Sequence, residues 1–113
     1  MAGIADPAAL RQVLAHGRDR GFLGPGPLED QIEHARGFAR VVGAPPRAFL
    51  DLGTGGGLPG LVLAVEWPAT GAVLVEAMER RALFLRDACA QLGFEGRVRV
   101  VGERAEVAAR RAE

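Results

Sequence analysis

Two hydrophobic rhythms run along the chain. Leu10, Val13 and Leu14 fall on one side of a 3.6-residue turn, and Leu28, Ile32, Ala35, Ala39 and Val42 repeat that spacing further on. The spacing predicts amphipathic helices over residues 6–18 and 28–42. Asp6 supplies an N-cap ahead of Pro7 at the first helical position, while Gly43 followed by Pro45-Pro46 ends the second helix. Between them, Gly21–Pro27 holds three glycines and two prolines and reads as a loop. Beyond Ala48 the rhythm changes. Phe49, Leu50 and Leu52 form a short apolar run broken only by Asp51, and Gly71–Glu76 is apolar throughout until its terminal acid. Strands buried on both faces have this composition, so a parallel sheet with helices on each side is expected. Helices follow over Leu61–Val65, with Pro59 near its start, and over Glu79–Leu92, where Leu85, Ala88, Cys89 and Leu92 face inward and Gly93 closes the end. Val98, Val100 and Val101 predict a third strand, with Arg97 and Arg99 alternating toward water, and a last helix covers Arg104–Arg111.

The junction Ala48–Gly60, Ala-Phe-Leu-Asp-Leu-Gly-Thr-Gly-Gly-Gly-Leu-Pro-Gly, organises the rest. A turn this sharp between strand and helix needs residues that tolerate positive φ, and glycine does so cheaply. The expected outcome is a ring of backbone N–H groups and a helix start facing a ligand. Gly55-x-Gly57-x-x-Gly60 has the dinucleotide spacing, a weak signal alone. A structural turn accounts for two glycines, whereas Gly53, Gly55, Gly56 and Gly57 exceed that need and point to a ligand loop. Asp51, just ahead of the loop, would repel a pyrophosphate but could hold a cationic group, or orient the loop and a water. A nucleoside cofactor without phosphates, such as S-adenosyl-L-methionine, is favoured. Glu76 lies 19 positions after Gly57 at the end of the second strand. In doubly wound sheets a carboxylate about 20 residues beyond the glycines accepts ribose hydroxyls. The alternative is a strand-end charge facing water. Gly102–Glu106 would border the same crevice, where amides and one carboxylate could read a nucleobase.

Composition narrows the class without naming a function. At 113 residues, 49% apolar and 25% charged, the chain reads as one soluble globular domain. No apolar run approaches the roughly 20 residues of a membrane span, and the amino terminus lacks a basic stretch before an apolar one. A cytoplasmic location without membrane partners is expected. The single cysteine, Cys89, excludes an internal disulfide and reads as a small buried hydrophobe. All 14 basic residues are arginine, yet formal charge is zero, so no overall field attracts nucleic acid. Arg80-Arg81 and Arg110-Arg111 read as solvated helix faces before RNA contacts. His16 and His34 have no carboxylate or cysteine at metal spacing, so no metal is expected.

Three segments together carry a resemblance: Phe49–Ala64; Leu74–Arg86, Leu-Val-Glu-Ala-Met-Glu-Arg-Arg-Ala-Leu-Phe-Leu-Arg; and Val100–Glu106, Val-Val-Gly-Glu-Arg-Ala-Glu. The chain resembles the bacterial small-subunit ribosomal RNA guanine-N7 methyltransferases, also called the glucose-inhibited division protein B family. The likeness covers residues 48–106 well and the two preceding helices loosely. It implies an α/β fold, a class I methyltransferase Rossmann-like three-layer sandwich that is partial here, with three parallel strands in the order 3-2-1 after two N-terminal helices. Residues 1–46 would form a helical segment and 47–113 the donor-binding half, with the acceptor half absent. It also implies that Gly53, Thr54, Gly55, Gly57 and Leu58 wrap the methionine part of S-adenosyl-L-methionine, that Glu76 holds the ribose, and that Ala105 and Glu106 border the adenine. Glu76 departs mildly from the family's usual aspartate. The implied acceptor is small-subunit ribosomal RNA. Guanine N7 has an in-plane lone pair, so no catalytic residue is expected. Without a fourth strand, the strand carrying Phe49–Leu52 would have an open edge, expected to pair with a second copy or a complementing chain, or to lie under a helix. The alternative is a non-catalytic module, a fragment or shortened paralogue that binds S-adenosylmethionine or S-adenosylhomocysteine.

Overall fold

The computed structural model describes residues 6–112. Eight elements follow in order: α1 (Pro7–Asp19), α2 (Leu28–Val42), β1 (Ala48–Leu52), α3 (Gly60–Glu66), β2 (Gly71–Val75), α4 (Glu79–Gln91), β3 (Val98–Val101) and α5 (Ala105–Ala112). The sequence places their ends because the end signals are local. Asp6 accepts the Ala8 amide at 3.0 Å to open α1. Gly43, at φ +82°, ends α2, and Gly93 follows α4 at φ +71°.

The three strands form one parallel sheet in the order β1-β2-β3, with Leu50 opposite Val73 and Val73 opposite Arg99. β1 therefore lies at an edge. One core joins Leu10 and Leu14 of α1, Ile32 of α2, Leu61 of α3, Leu74 of β2 and Leu85 of α4. The N-terminal helices thus share their apolar interior with the βα part, and α2 and α1 both pack on α3.

Three expectations from the pattern change here. Helices do not cover the two sheet faces equally: the side holding Ala72, Leu74 and Val98 is buried, while Leu50 and Leu52 are 43% and 44% exposed. Beyond β1, α5 lies over the second side, where Leu50, Val73, Val101 and Ala108 line a shallow cavity of about 190 Å³. Val42, expected inside α2's apolar stripe, is 54% exposed, because α2 buries only Leu28, Ile32 and Ala35 near its start. Arg97 does not alternate into water. Its guanidinium donates to the carbonyls of Ala64 at 2.6 Å and Thr70 at 3.0 Å and lies 4.7 Å from the Phe94 ring centroid. It ties the end of α3 to the start of β2, and burial lowers its pKa. Cys89 is buried as expected, and desolvation pushes its thiol up to about 11 despite the nearby Arg97 charge.

Candidate functional site

β1 delivers the chain into a glycine hairpin. Gly53, Gly55 and Gly57 adopt φ of +73°, +60° and +104°. Any L-residue at Gly57 would be strained. Gly60 is required for a different reason: a Cβ there would fall 2.5 Å from Leu74 Cδ2 and 2.7 Å from Asp51 Oδ2. The backbone of α3 is therefore pressed against the end of the sheet.

Most of the expected ring of amides is already engaged. Gly53 and Thr54 both donate to the Val75 carbonyl, Gly57 donates to the Thr54 carbonyl, and the first amide of α3, Gly60, donates to Asp51 Oδ2 at 3.0 Å. Gly55 donates to Glu76 Oε1 at 2.9 Å. Among the described residues, only the hairpin amides of Gly56 and Leu58 find no acceptor. The physical reason is that both acids flanking the hairpin turn back onto it. Asp51 sits beneath the hairpin, where burial raises its pKa and the Thr54 hydroxyl and the Gly60 amide pull it partway down. The Thr54 hydroxyl helps the carboxylate without a well-aligned hydrogen bond, since its buried Oγ1 has no partner among the described residues.

Glu76 is not a charge facing water: it is 5% exposed. Its Oε2 accepts the Met78 amide at 2.9 Å while Oε1 holds Gly55, so one carboxylate spans the hairpin and the β2–α4 connection. An ionised carboxylate offers about four lone-pair sites, so two remain for further donors.

Three sets of hydrogen bonds thus hold the hairpin: Asp51 with Gly60, Gly53 and Thr54 on Val75 with Gly57 on Thr54, and Gly55 with Glu76. Leu58 lies outside these bonds and, with Pro59, borders a cavity of about 620 Å³ that also includes Asp30, His34 and Phe38. Ala105 and Glu106 open α5, and Glu106 approaches Arg104 instead of the hairpin. The link from β3 to the cluster is backbone: the Glu76 amide donates to the Val101 carbonyl at 2.9 Å. Two contributors were missed from sequence. Phe22 and Leu23 lie against Gly56, where a Cβ would come within 2.9 Å of the Phe22 carbonyl oxygen. An apolar pair inside a glycine-rich loop is the signal that could have marked them.

The parallel sheet, its order and the hairpin after β1 define the Rossmann-like fold of class I methyltransferases, in partial form. An O-methyltransferase of Bacillus cereus, solved in complex with SAH, superimposes with a TM-score of 0.73 at 22% identity, over 94% of this chain and 48% of that one. The profile of the family described as rRNA small subunit methyltransferase G matches residues 30–113, and the chain belongs to that family. The ribosomal RNA small subunit methyltransferase G of Acidothermus cellulolyticus is 37% identical over 92% of this chain and 49% of its own length. That of Clavibacter sepedonicus is 40% identical over 92% of this chain and 51% of its own. The chain therefore spans about half the length of these relatives.

Proposed function

We propose that the chain binds S-adenosyl-L-methionine as the donor-binding portion of a cytoplasmic methyltransferase acting on guanine N7 of small-subunit ribosomal RNA. The observation that carries this reading is the buried Glu76 carboxylate bridging the glycine hairpin and the β2–α4 connection, with acceptor capacity to spare. The local chemistry fits the donor. Glu76 would accept the two ribose hydroxyls, the Gly56 and Leu58 amides would meet the methionine part with Thr54 backing the hairpin from beneath, and Ala105 with Glu106 would border the adenine. Asp51 would keep the hairpin closed through Gly60. When bound, the donor supplies an electrophilic methyl group. The residues here bind and orient, and none is asked to move a proton, because guanine N7 already presents a lone pair; rate then comes from alignment.

The edge position of β1 and the exposed Leu50 and Leu52 support pairing of that strand with a second copy or a complementing polypeptide. A non-catalytic donor-binding module is the second reading.

Calorimetry with S-adenosylhomocysteine tests the donor site: saturable heat is expected, and silence alongside binding of a dinucleotide would overturn it. Labelled donor with unmethylated small-subunit RNA then separates the readings, since transfer to N7 supports the enzyme and tight donor binding without transfer supports the module. For the edge, light scattering is expected to give a dimer with slow β1 amide exchange. A monomer whose β1 amides exchange like a loop would sink that part.

A further inference from the structure

We infer that Arg20, Arg80 and Arg81 form a grip for RNA phosphates at the rim of the donor site; this rests on the ribosomal RNA reading above. The three guanidinium carbons lie 4.8, 5.8 and 5.6 Å from the centroid of a single ring, Phe22, and Arg20 also lies 5.8 Å from Phe84. Phe22 and Phe84 meet edge to face at 5.4 Å, so the aromatic base under the arginines is fixed. Arginines stack on aromatic faces and keep their forked donors free for anions.

What marks this cluster is three guanidinium groups gathered on one ring without an ion pair among the described residues, although Asp19 and Asp87 line the same cavity as Arg20. Arg11, Arg36, Arg40, Arg104 and Arg111 all pair with carboxylates. Among the described residues, none of Arg20, Arg80 and Arg81 does, although the chain carries as many acidic as basic residues. Arg81 also keeps a buried Nε with no acceptor. Three like charges gathered on one ring are self-repelling until an anion joins them.

Position decides which anion. Phe22 rests its carbonyl against Gly56 of the hairpin, and Arg80 and Arg81 stand in the first turn of α4, directly after the connection that Glu76 holds. A polyanion held here lies alongside the donor cluster, where the backbone of a methyl-accepting RNA would pass. Repeated phosphates suit several forked donors better than an isolated carboxylate does. Because these arginines lie on α1's end and α4's start, the sequence pattern could not bring them together.

Fluorescence anisotropy with a labelled single-stranded RNA oligonucleotide, titrated at several salt concentrations, tests the grip. The variant R20Q/R80Q leaves half-buried Arg81 in place, and R110Q/R111Q removes equal charge from α5. The expected result is about tenfold weaker binding for R20Q/R80Q at low salt and a log–log salt slope smaller by about two. R110Q/R111Q should stay within about twofold of the parent chain, and both variants should keep the calorimetric response to S-adenosylhomocysteine. Equal weakening by both variants, no RNA binding by the parent chain, or equal affinity for polyglutamate would overturn the proposal. Lost S-adenosylhomocysteine binding in the parent chain, with the RNA result intact, would instead remove the donor reading and leave the grip standing.

Discussion

The two faces of the sheet are built from similar residues and treated differently. Ala72, Leu74 and Val98 lie beneath α3 and α4, which α1 and α2 back in turn, whereas Leu50 and Leu52 point to the side that α5 crosses. The difference teaches that apolar strand composition reports a capacity for burial on both sides, while the supply of helices decides which side is filled. Stability should therefore reside on the α3–α4 side, and adaptability on the other.

Four measurements test that division, the strongest first. Cys89 belongs to the filled side, and with its thiol at about 11 only about one molecule in a thousand ionises at pH 8. Labelling by a disulfide reagent should be about a hundredfold slower than for a thiol at its ordinary value of 9.0 from ionisation alone, and burial slows it further. Fast native-state labelling would mean that the filled side opens readily. Leu85→Ala should cost about 2–5 kcal/mol in urea unfolding, against less than about 1 kcal/mol for Leu50→Ala. Equal costs would erase the contrast. Glu76→Gln places an amide N–H₂ where a carboxylate accepted two backbone donors, so a loss of about 1–3 kcal/mol is expected together with most of the S-adenosylhomocysteine heat. Unchanged stability and heat would remove Glu76 from the cluster.

The smallest effect concerns Asp51. Its pKa is raised by burial, so the folded chain holds its proton more tightly than the unfolded chain does. Stability from this group is greatest below the unfolded value of 3.8 and declines as pH rises through the folded value. Asp51→Asn keeps an oxygen for the Gly60 amide and abolishes that decline, so its advantage over the parent chain should grow from pH 4 to pH 7. Parallel urea midpoints across that range would show that burial of Asp51 carries no electrostatic cost.

Much of this molecule is legible because the relevant signals are short-range. Asp6 before Pro7, Gly43 before a proline pair, and glycines after an apolar run place helix ends and the hairpin without any knowledge of distant contacts. Asp51 and Glu76 were visible as acids at strand ends, and their proximity to the glycines followed from parallel topology. Their engagement of the Gly60 and Gly55 amides was not visible, since side-chain direction at a strand end depends on what the neighbouring backbone offers. Arg97 was misread for the same reason: alternation assigns it to water, but the carbonyls at the end of α3 lie within its reach. Val42 matched the helical period and still lies in solvent, because α2 buries only its first half, through Leu28, Ile32 and Ala35.

The bond from Gly60 to Asp51 has one further consequence. It ties the start of α3 to the end of β1, so the nucleoside proposed to bind there would meet a hairpin already held in shape. Association should then carry little ordering entropy and leave amide exchange in residues 53–60 almost unchanged, as expected when preorganisation lowers the cost of binding.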